Sequence, residues 1–282
     1  MKLFVDNLTN IDFSYLHNTR GLIGESWLAQ LVLTGSLNQQ GMICDFSIVK
    51  QTVRDWLDQT VDHVLVVPKH MPNLKIEKGD HQTTIHWTSP SGEQFSCISP
   101  ACAITLVDAD IIDKTSLANW CQTKLKNLFP DEVVTLELAF QAEATTGAFY
   151  HYSHGLKKHA GNCQRIAHGH RSKIEIWENN QRSTELEQAW AQRWGDIYIG
   201  TNEDLVNVTE ISGAHYHTYQ YTAEQGDFEL TWPQSRCYDI ETESTVEFIA
   251  QHIAAQLKQE KPENQYRVKA YEGVGKGAIA ET

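Results

Sequence analysis

The stretch Gly161–Trp177 reads GNCQRIAHGHRSKIEIW. From His168 onward, polar and apolar residues alternate with the period of a β-strand. Residues two apart on a strand project from the same face, so His168 and His170 present both imidazoles on one side. A strand offers two ligands to one metal in this way, and Gly169 between them adds no side chain to crowd the approach. Upstream lies Tyr150-His151-Tyr152-Ser153-His154-Gly155-Leu156, an aromatic, strand-like run. A hairpin would bring His154 opposite the His-Gly-His pair. Three neutral imidazoles around an open position is an arrangement used by catalytic zinc. Cys163 is not expected as a fourth ligand, because a closed site leaves no room for substrate. A thiol beside a cation can instead act as a base or nucleophile. The competing reading of His-Gly-His alone is a turn with two solvated histidines. His151 and His159 are less well placed and read as supporting or surface residues.

Charge points the same way. The chain of 282 residues carries a formal net charge of −13, which argues against a general nucleic-acid binder. Yet no acidic residue occurs from Ala144 to Ile174, where Lys157, Lys158, Arg165, Arg171 and Lys173 all fall. Such a basic island suggests an anionic substrate such as a phosphate ester; the alternative is a charge fluctuation on a solvated loop. The six cysteines show no CxxC spacing and, Cys163 apart, read as reduced core residues. No apolar run approaches the roughly 20 residues that span a bilayer. The first residues lack a signal-peptide core, so the expected location is the cytoplasm.

Further out, the chain reads as two copies of one plan. Each half opens with alternating segments and continues through a helix, a Gly-Asp hairpin, a second helix and a closing strand. Helices are expected over Ser47–Thr60, Lys114–Phe129, Thr184–Trp194 and Thr245–Leu257 from their apolar spacing. The hairpin Ile76–Trp87 is paired with Thr222–Trp232. Closing strands are expected over Glu132–Gln141 and Gln265–Gly273. The small, polar Ala142–Thr146 marks the boundary, giving repeats 1–143 and 144–282. Runs of strands with few βαβ crossovers indicate an α+β fold with antiparallel sheets.

The residues Tyr150/His154/Leu156, Gly161/Cys163 and His168/Gly169/His170 resemble the zinc site of the 6-pyruvoyl- and 6-carboxy-tetrahydropterin synthases. The resemblance implies a tandem tunnelling fold, each repeat an antiparallel four-stranded sheet with two helices on one face. It implies zinc bound by His154, His168 and His170, with Cys163 as a catalytic residue. The first half carries a complementary piece: Gly35–Pro68 resembles the family's Gly-Met-x-x-Asp-Phe through Asp-His segment, which places catalytic roles on Asp62 and His63. Arg20–Trp27 stands where the family has His-Gly-His, with Ile23 and Glu25 at ligand positions, so this half should bind no zinc. The second half lacks an Asp-His; Gly213–His217, GAHYH, is the nearest remnant. Glu272 matches the glutamate that holds the pterin edge, with Glu137 as its counterpart, because a carboxylate suits a planar donor pair. Thr245 and Glu247 match a Thr-x-Glu that either touches pterin or caps a helix.

On that resemblance the chain is expected to be a zinc-dependent 6-carboxy-tetrahydropterin synthase acting on 7,8-dihydroneopterin triphosphate, on the route towards queuosine. The alternatives are a 6-pyruvoyl-tetrahydropterin synthase, a non-catalytic pterin-binding protein, or an unrelated zinc hydrolase. It also implies a homo-oligomer, with three chains supplying six repeats, and no membrane or nucleic-acid partner.

Overall fold

The computed structural model describes residues 1–282. The first half runs β1 (Lys2–His17), β2 (Gly21–Gly35), α1 (Phe46–Thr60), β3 (Leu65–Pro68), β4 (Leu74–Lys78), β5 (Gln82–Thr88), β6 (Gln94–Pro100), β7 (Ile104–Val107), α2 (Lys114–Leu125) and β8 (Val133–Ala142). The second runs β9 (Phe149–His154), β10 (His168–Glu178), β11 (Gln181–Arg182), α3 (Thr184–Arg193), β12 (Ile197–Thr201), β13 (Leu205–Ile211), β14 (Ala214–Ala223), β15 (Gly226–Pro233), β16 (Cys237–Ile240), α4 (Val246–Glu260), β17 (Tyr266–Tyr271) and β18 (Gly277–Glu281). No helix is long and apolar enough to cross a membrane.

The helices follow from spacing and caps. Val49, Val53 and Leu57 recur every fourth residue and are buried on α1, and Asp45 caps it by accepting from the Ser47 amide at 2.7 Å. Ile249, Ile253 and Leu257 do the same on α4. The stretch after Leu125 tightens into a 3₁₀ turn over Lys126–Leu128, so α2 ends before Pro130 and short of Phe129. α1 and α2 share one core with Phe13, Trp27, Leu31, Leu138 and Phe140 of the first sheet. Fully burying a side chain such as Phe13 contributes about 1.5–3 kcal/mol.

The sheets differ from the expected pair of four-stranded antiparallel layers. One has strand order β7-β3-β1-β2-β8, and another has β16-β12-β9-β10-β17-β18 with β11 on β10. β3 and β7 run parallel to their neighbours, as do β12 and β16. The reason is the crossover: after β2, α1 carries the chain past β1, so β3 enters on the far edge in the direction of β1. A third sheet, β13-β14-β15-β6-β5-β4, is built from both halves. By element order β14–β15 is the counterpart of β5–β6, not of β4–β5. The two Gly-Asp turns therefore belong to non-equivalent hairpins. Turn chemistry reports that a turn exists, not which one it is.

The halves are related by a pseudo-two-fold axis. His168 lies opposite His154 as Ile23 lies opposite Tyr15, which makes Ser14 the counterpart of Ser153 and Gly24 the counterpart of Gly169. These equivalent residues meet across the axis. The hydroxyls of Ser14 and Ser153 are 2.7 Å apart and buried. A Cβ on Gly24 would stand 1.8 Å from the Tyr152 carbonyl oxygen, and one on Gly169 would stand 2.6 Å from the Gly24 Cα. Gly169 thus serves the contact between sheets, on the face opposite His168 and His170. In the third sheet, Cys97 of β6 pairs with Leu230 of β15, flanked by Ser96–Thr231 and Ile98–Glu229.

Backbone-on-backbone packing leaves no room for a methyl. Gly24→Ala is therefore expected to destabilise the chain by about 1–3 kcal/mol or more, read as a lower urea midpoint. An unchanged midpoint would refute close packing of the halves at this point.

Candidate active site

His154 ends β9 and His168 and His170 open β10, so strand pairing sets all three on one face. All three are buried, and one ring nitrogen from each lies within 4.8 Å of the others. The opposite nitrogens are held. His154 Nδ1 donates to the Ser244 carbonyl at 3.0 Å, just before α4, and the Ser244 hydroxyl lies at the same distance. His168 Nδ1 donates to the Arg165 carbonyl at 2.8 Å. His170 Nδ1 lies 3.3 Å from Oδ1 of Asp12, which comes from the first half. Burial, reinforced by the neighbouring imidazoles, pushes His154 and His168 well below the usual histidine range, so both are neutral.

A neutral ring whose Nδ1 carries the proton presents a lone pair at Nε2. His154 and His170 Nε2 are 3.2 Å apart. With the proton on Nδ1 of both rings, two lone pairs at that distance repel unless a cation lies between them. Nitrogen ligands at 2.0–2.1 Å from a tetrahedral metal stand about 3.3 Å apart. The donor set therefore fits a divalent cation that favours imidazole.

Beside this trio lies a second group. Ring or thiol atoms of His63, Cys163 and His168 fall within 4.8 Å of one another, and the His63 and His168 rings are 5.0 Å apart between centroids. His63 Nδ1 is hydrogen-bonded to the Asp62 carboxylate, which leaves its Nε2 for Cys163. Burial alone would disfavour a charged His63, but the contacts with Asp62 and Cys163 raise its pKa to about 10. His63 is thus committed to a carboxylate–imidazole–thiol relay, and the His154/His168/His170 trio is the better metal set. The structure brings Asp62, His63 and Cys163 together within one chain.

His63 adopts φ 54°, a left-handed conformation that an L side chain rarely takes. β3 pairs with β1 as β12 pairs with β9, which makes Asp196 the counterpart of His63. Asp196 has φ 60°. Both turns keep the strained residue because both feed a strand into the equivalent place, parallel to the first strand of its half. At Asp196, however, the relay is gone, and its carboxylate accepts from Arg20 Nε at 2.8 Å. The positions equivalent to the three ligands are Tyr15, Ile23 and Glu25. Metal analysis of the purified chain is accordingly expected to return one tightly bound ion; two per chain would contradict it.

Glu272 follows β17, and its carboxylate is 3.7 Å from Lys276 Nζ, which is 3.6 Å from Asp12 Oδ2. It therefore joins the edge of the site. Glu137 does not. The strand β8 alternates, with Leu136 and Leu138 in the core, so Glu137 projects outward to Lys2 at 3.5 Å. By register, Ala142 is the counterpart of Glu272. Thr245 accepts from the Phe248 amide as the cap of α4, and Glu247 is exposed in its first turn. It is their neighbour Ser244 that touches His154.

The basic island is neutralised from elsewhere in the fold. Lys157 pairs with Glu203 and Asp204 at 2.8 and 2.6 Å, and Lys158 with Glu203 and Glu243 at 3.1 and 3.2 Å. Lys173 pairs with Glu143 at 2.7 Å, while Arg171 lies 3.9 Å over the Phe149 ring. The island is not an open anion-binding surface. Arg165, buried and donating to the Gln225 side chain at 2.9 Å and to the His63 carbonyl at 3.5 Å, has no carboxylate partner, and the Arg171 side chain donates only to the Glu143 main-chain carbonyl at 3.0 Å. His217 of the GAHYH stretch pairs with Asp239 at 3.0 Å, on the third sheet, and is not the counterpart of His63.

A buried trio of imidazoles beside a Cys–His–Asp relay, on sheets packed about a pseudo-two-fold axis, makes a candidate metal site with acid–base equipment. Residues 143–282 match the model of the 6-pyruvoyl tetrahydropterin synthase family. Among solved structures, the chain is similar to 6-pyruvoyl tetrahydropterin synthase from Plasmodium vivax at 20% identity, over 52% of this chain and 93% of that one, with a TM-score of 0.43. It is also similar to the Plasmodium falciparum enzyme at 16% identity, over 50% and 90% of the two chains, with a TM-score of 0.41. No curated protein matches the chain.

Proposed function

We propose that the chain is a zinc-dependent pterin lyase that acts on 7,8-dihydroneopterin triphosphate and forms 6-carboxy-tetrahydropterin with loss of triphosphate and acetaldehyde. The observation that carries the reading is the convergence of His154, His168 and His170 beside Cys163, His63 and Asp62. Repeats 1–143 and 144–282 are the units of a tandem tunnelling fold. His154, His168 and His170 would hold zinc, which when bound supplies Lewis-acid polarisation of substrate hydroxyls. Cys163 Sγ takes and returns a proton at the substrate side chain. His63 Nε2 faces that sulfur and stabilises its anionic form, and Asp62 fixes the His63 tautomer by holding Nδ1. The Glu272 carboxylate receives the paired N–H donors of the pterin edge.

Mass spectrometry of the product from 7,8-dihydroneopterin triphosphate tests this. The carboxy product with released acetaldehyde is expected. The pyruvoyl product would overturn the product assignment, and unchanged substrate with metal-loaded protein would overturn the lyase.

A further inference from the structure

Asp12 does not belong to the half that holds the imidazoles, yet it reaches both His170 and the Asp62–His63 pair. It is an acid on an otherwise buried strand segment, with 4% of its surface exposed. Its Oδ1 is 3.3 Å from His170 Nδ1. That nitrogen has no other polar neighbour: it is buried and makes no aligned hydrogen bond, whereas the matching nitrogens of His154 and His168 both rest on carbonyls. The same carboxylate accepts from the Ser26 hydroxyl and lies 3.6 Å from Lys276. The main chain of Asp12 holds the relay. Its amide donates to Asp62 Oδ1 at 2.7 Å, and its carbonyl accepts from the His63 amide at 2.6 Å.

The approach is enforced. A Cβ on Gly273 would stand 2.3 Å from Asp12 Oδ1, so the turn after β17 closes directly over the carboxylate. The pseudo-two-fold axis offers an internal comparison. The counterpart of the Asp12–His170 pair is His151–Glu25, with acid and imidazole exchanged between halves and 3.9 Å apart. There the imidazole is turned away, with Nδ1 on the Gly24 carbonyl at 2.7 Å. The acid–imidazole contact is thus closer where the trio of imidazoles exists.

We propose that Asp12 is a positioning residue that acts across the two halves: its carboxylate sets the tautomer and orientation of His170 towards the metal, while its main chain fixes Asp62 and His63 at the distance the relay needs. The proposal rests on the metal reading above. Carboxylates behind a ligating imidazole raise its basicity, and their removal weakens metal binding by about 10–100-fold.

The test is metal affinity, which a merely structural acid would not move. Chelator-stripped wild type and Asp12→Asn are titrated with zinc, and separately with cobalt(II), against a competing chromophoric chelator, with folding checked by near-ultraviolet circular dichroism. The Asn variant keeps the shape and the main-chain bonds, so a folded protein with affinity lowered about 10–100-fold is expected. A wild type that binds while a folded Asp12→Asn binds equally well overturns this proposal alone. A wild type that binds neither ion overturns the metal reading, and this proposal with it. Should Asp12→Asn fail to fold, Ser26→Ala removes the hydroxyl that holds the carboxylate and leaves the acid in place. A several-fold weaker affinity in that variant supports the proposal, and an unchanged affinity overturns it.

Discussion

Cys163→Ala is expected to keep its metal and lose turnover by about 10²–10⁴-fold, the span associated with removing a positioned proton-transfer group. The sulfur lies with His63 and His168 rather than within the trio His154, His168 and His170. The trio already offers three nitrogen donors; the second nitrogens of His154 and His168 rest on the Ser244 and Arg165 carbonyls, and that of His170 lies 3.3 Å from Asp12. Deleting Sγ removes no member of it. Cys163 sits in a short 3₁₀ turn and accepts from the Leu156 amide through its carbonyl, so the turn is tied to the end of β9 by main chain and survives the substitution. Elemental analysis and product formation on the same preparation check both halves of the expectation. Loss of metal in step with activity would make Cys163 a ligand and refute the open site.

The residues that carry this argument were unequally visible in the sequence. His168 and His170 could be read because a strand has period 2, and that parity needs no partner to be known. The resemblance matches Glu137 to Glu272, and the match fails on register: β8 takes its register from β2, which sets Ala142 rather than Glu137 at the equivalent place. The basic island misled for a related reason. Lys157 and Lys158 are neutralised by Glu203, Asp204 and Glu243, tens of residues downstream, and no local window contains both partners. The parallel strands β3 and β7 are short, and a strand of four residues says nothing about direction. Asp12 carried no motif at all. The one signal that could have found it was internal: laying the halves over each other sets Asp12 against His151 and Glu25 against His170, two acid–imidazole exchanges at positions that meet across the axis.

That axis determines the outcome of a mixing experiment. Chains carrying Asp62→Asn with His63→Ala, co-expressed with chains carrying Cys163→Ala, are expected to give no recovery of activity over either variant alone. The relay from the first half and the thiol and imidazoles from the second half meet inside a single chain: the His63 and His168 rings are 5.0 Å apart, and Arg165 reaches the His63 carbonyl. Each mutant chain then holds only its own broken set, whatever number of chains assemble. The opposite site about the axis offers no rescue, since Tyr15, Ile23 and Glu25 stand at its ligand positions and Asp196 at its relay position. The proposed duplication accounts for the opposite losses in the two halves. A pair of identical subunits related by a two-fold axis must build both sites or neither, whereas a fused pair needs only one set of ligands and one relay facing it. The second site is then free to become structure, as the Arg20–Asp196 pair shows. Differently tagged chains, purified through both tags and assayed for product, would measure this. Activity restored in the doubly tagged fraction would place the relay and the thiol on different chains and overturn the single-chain site.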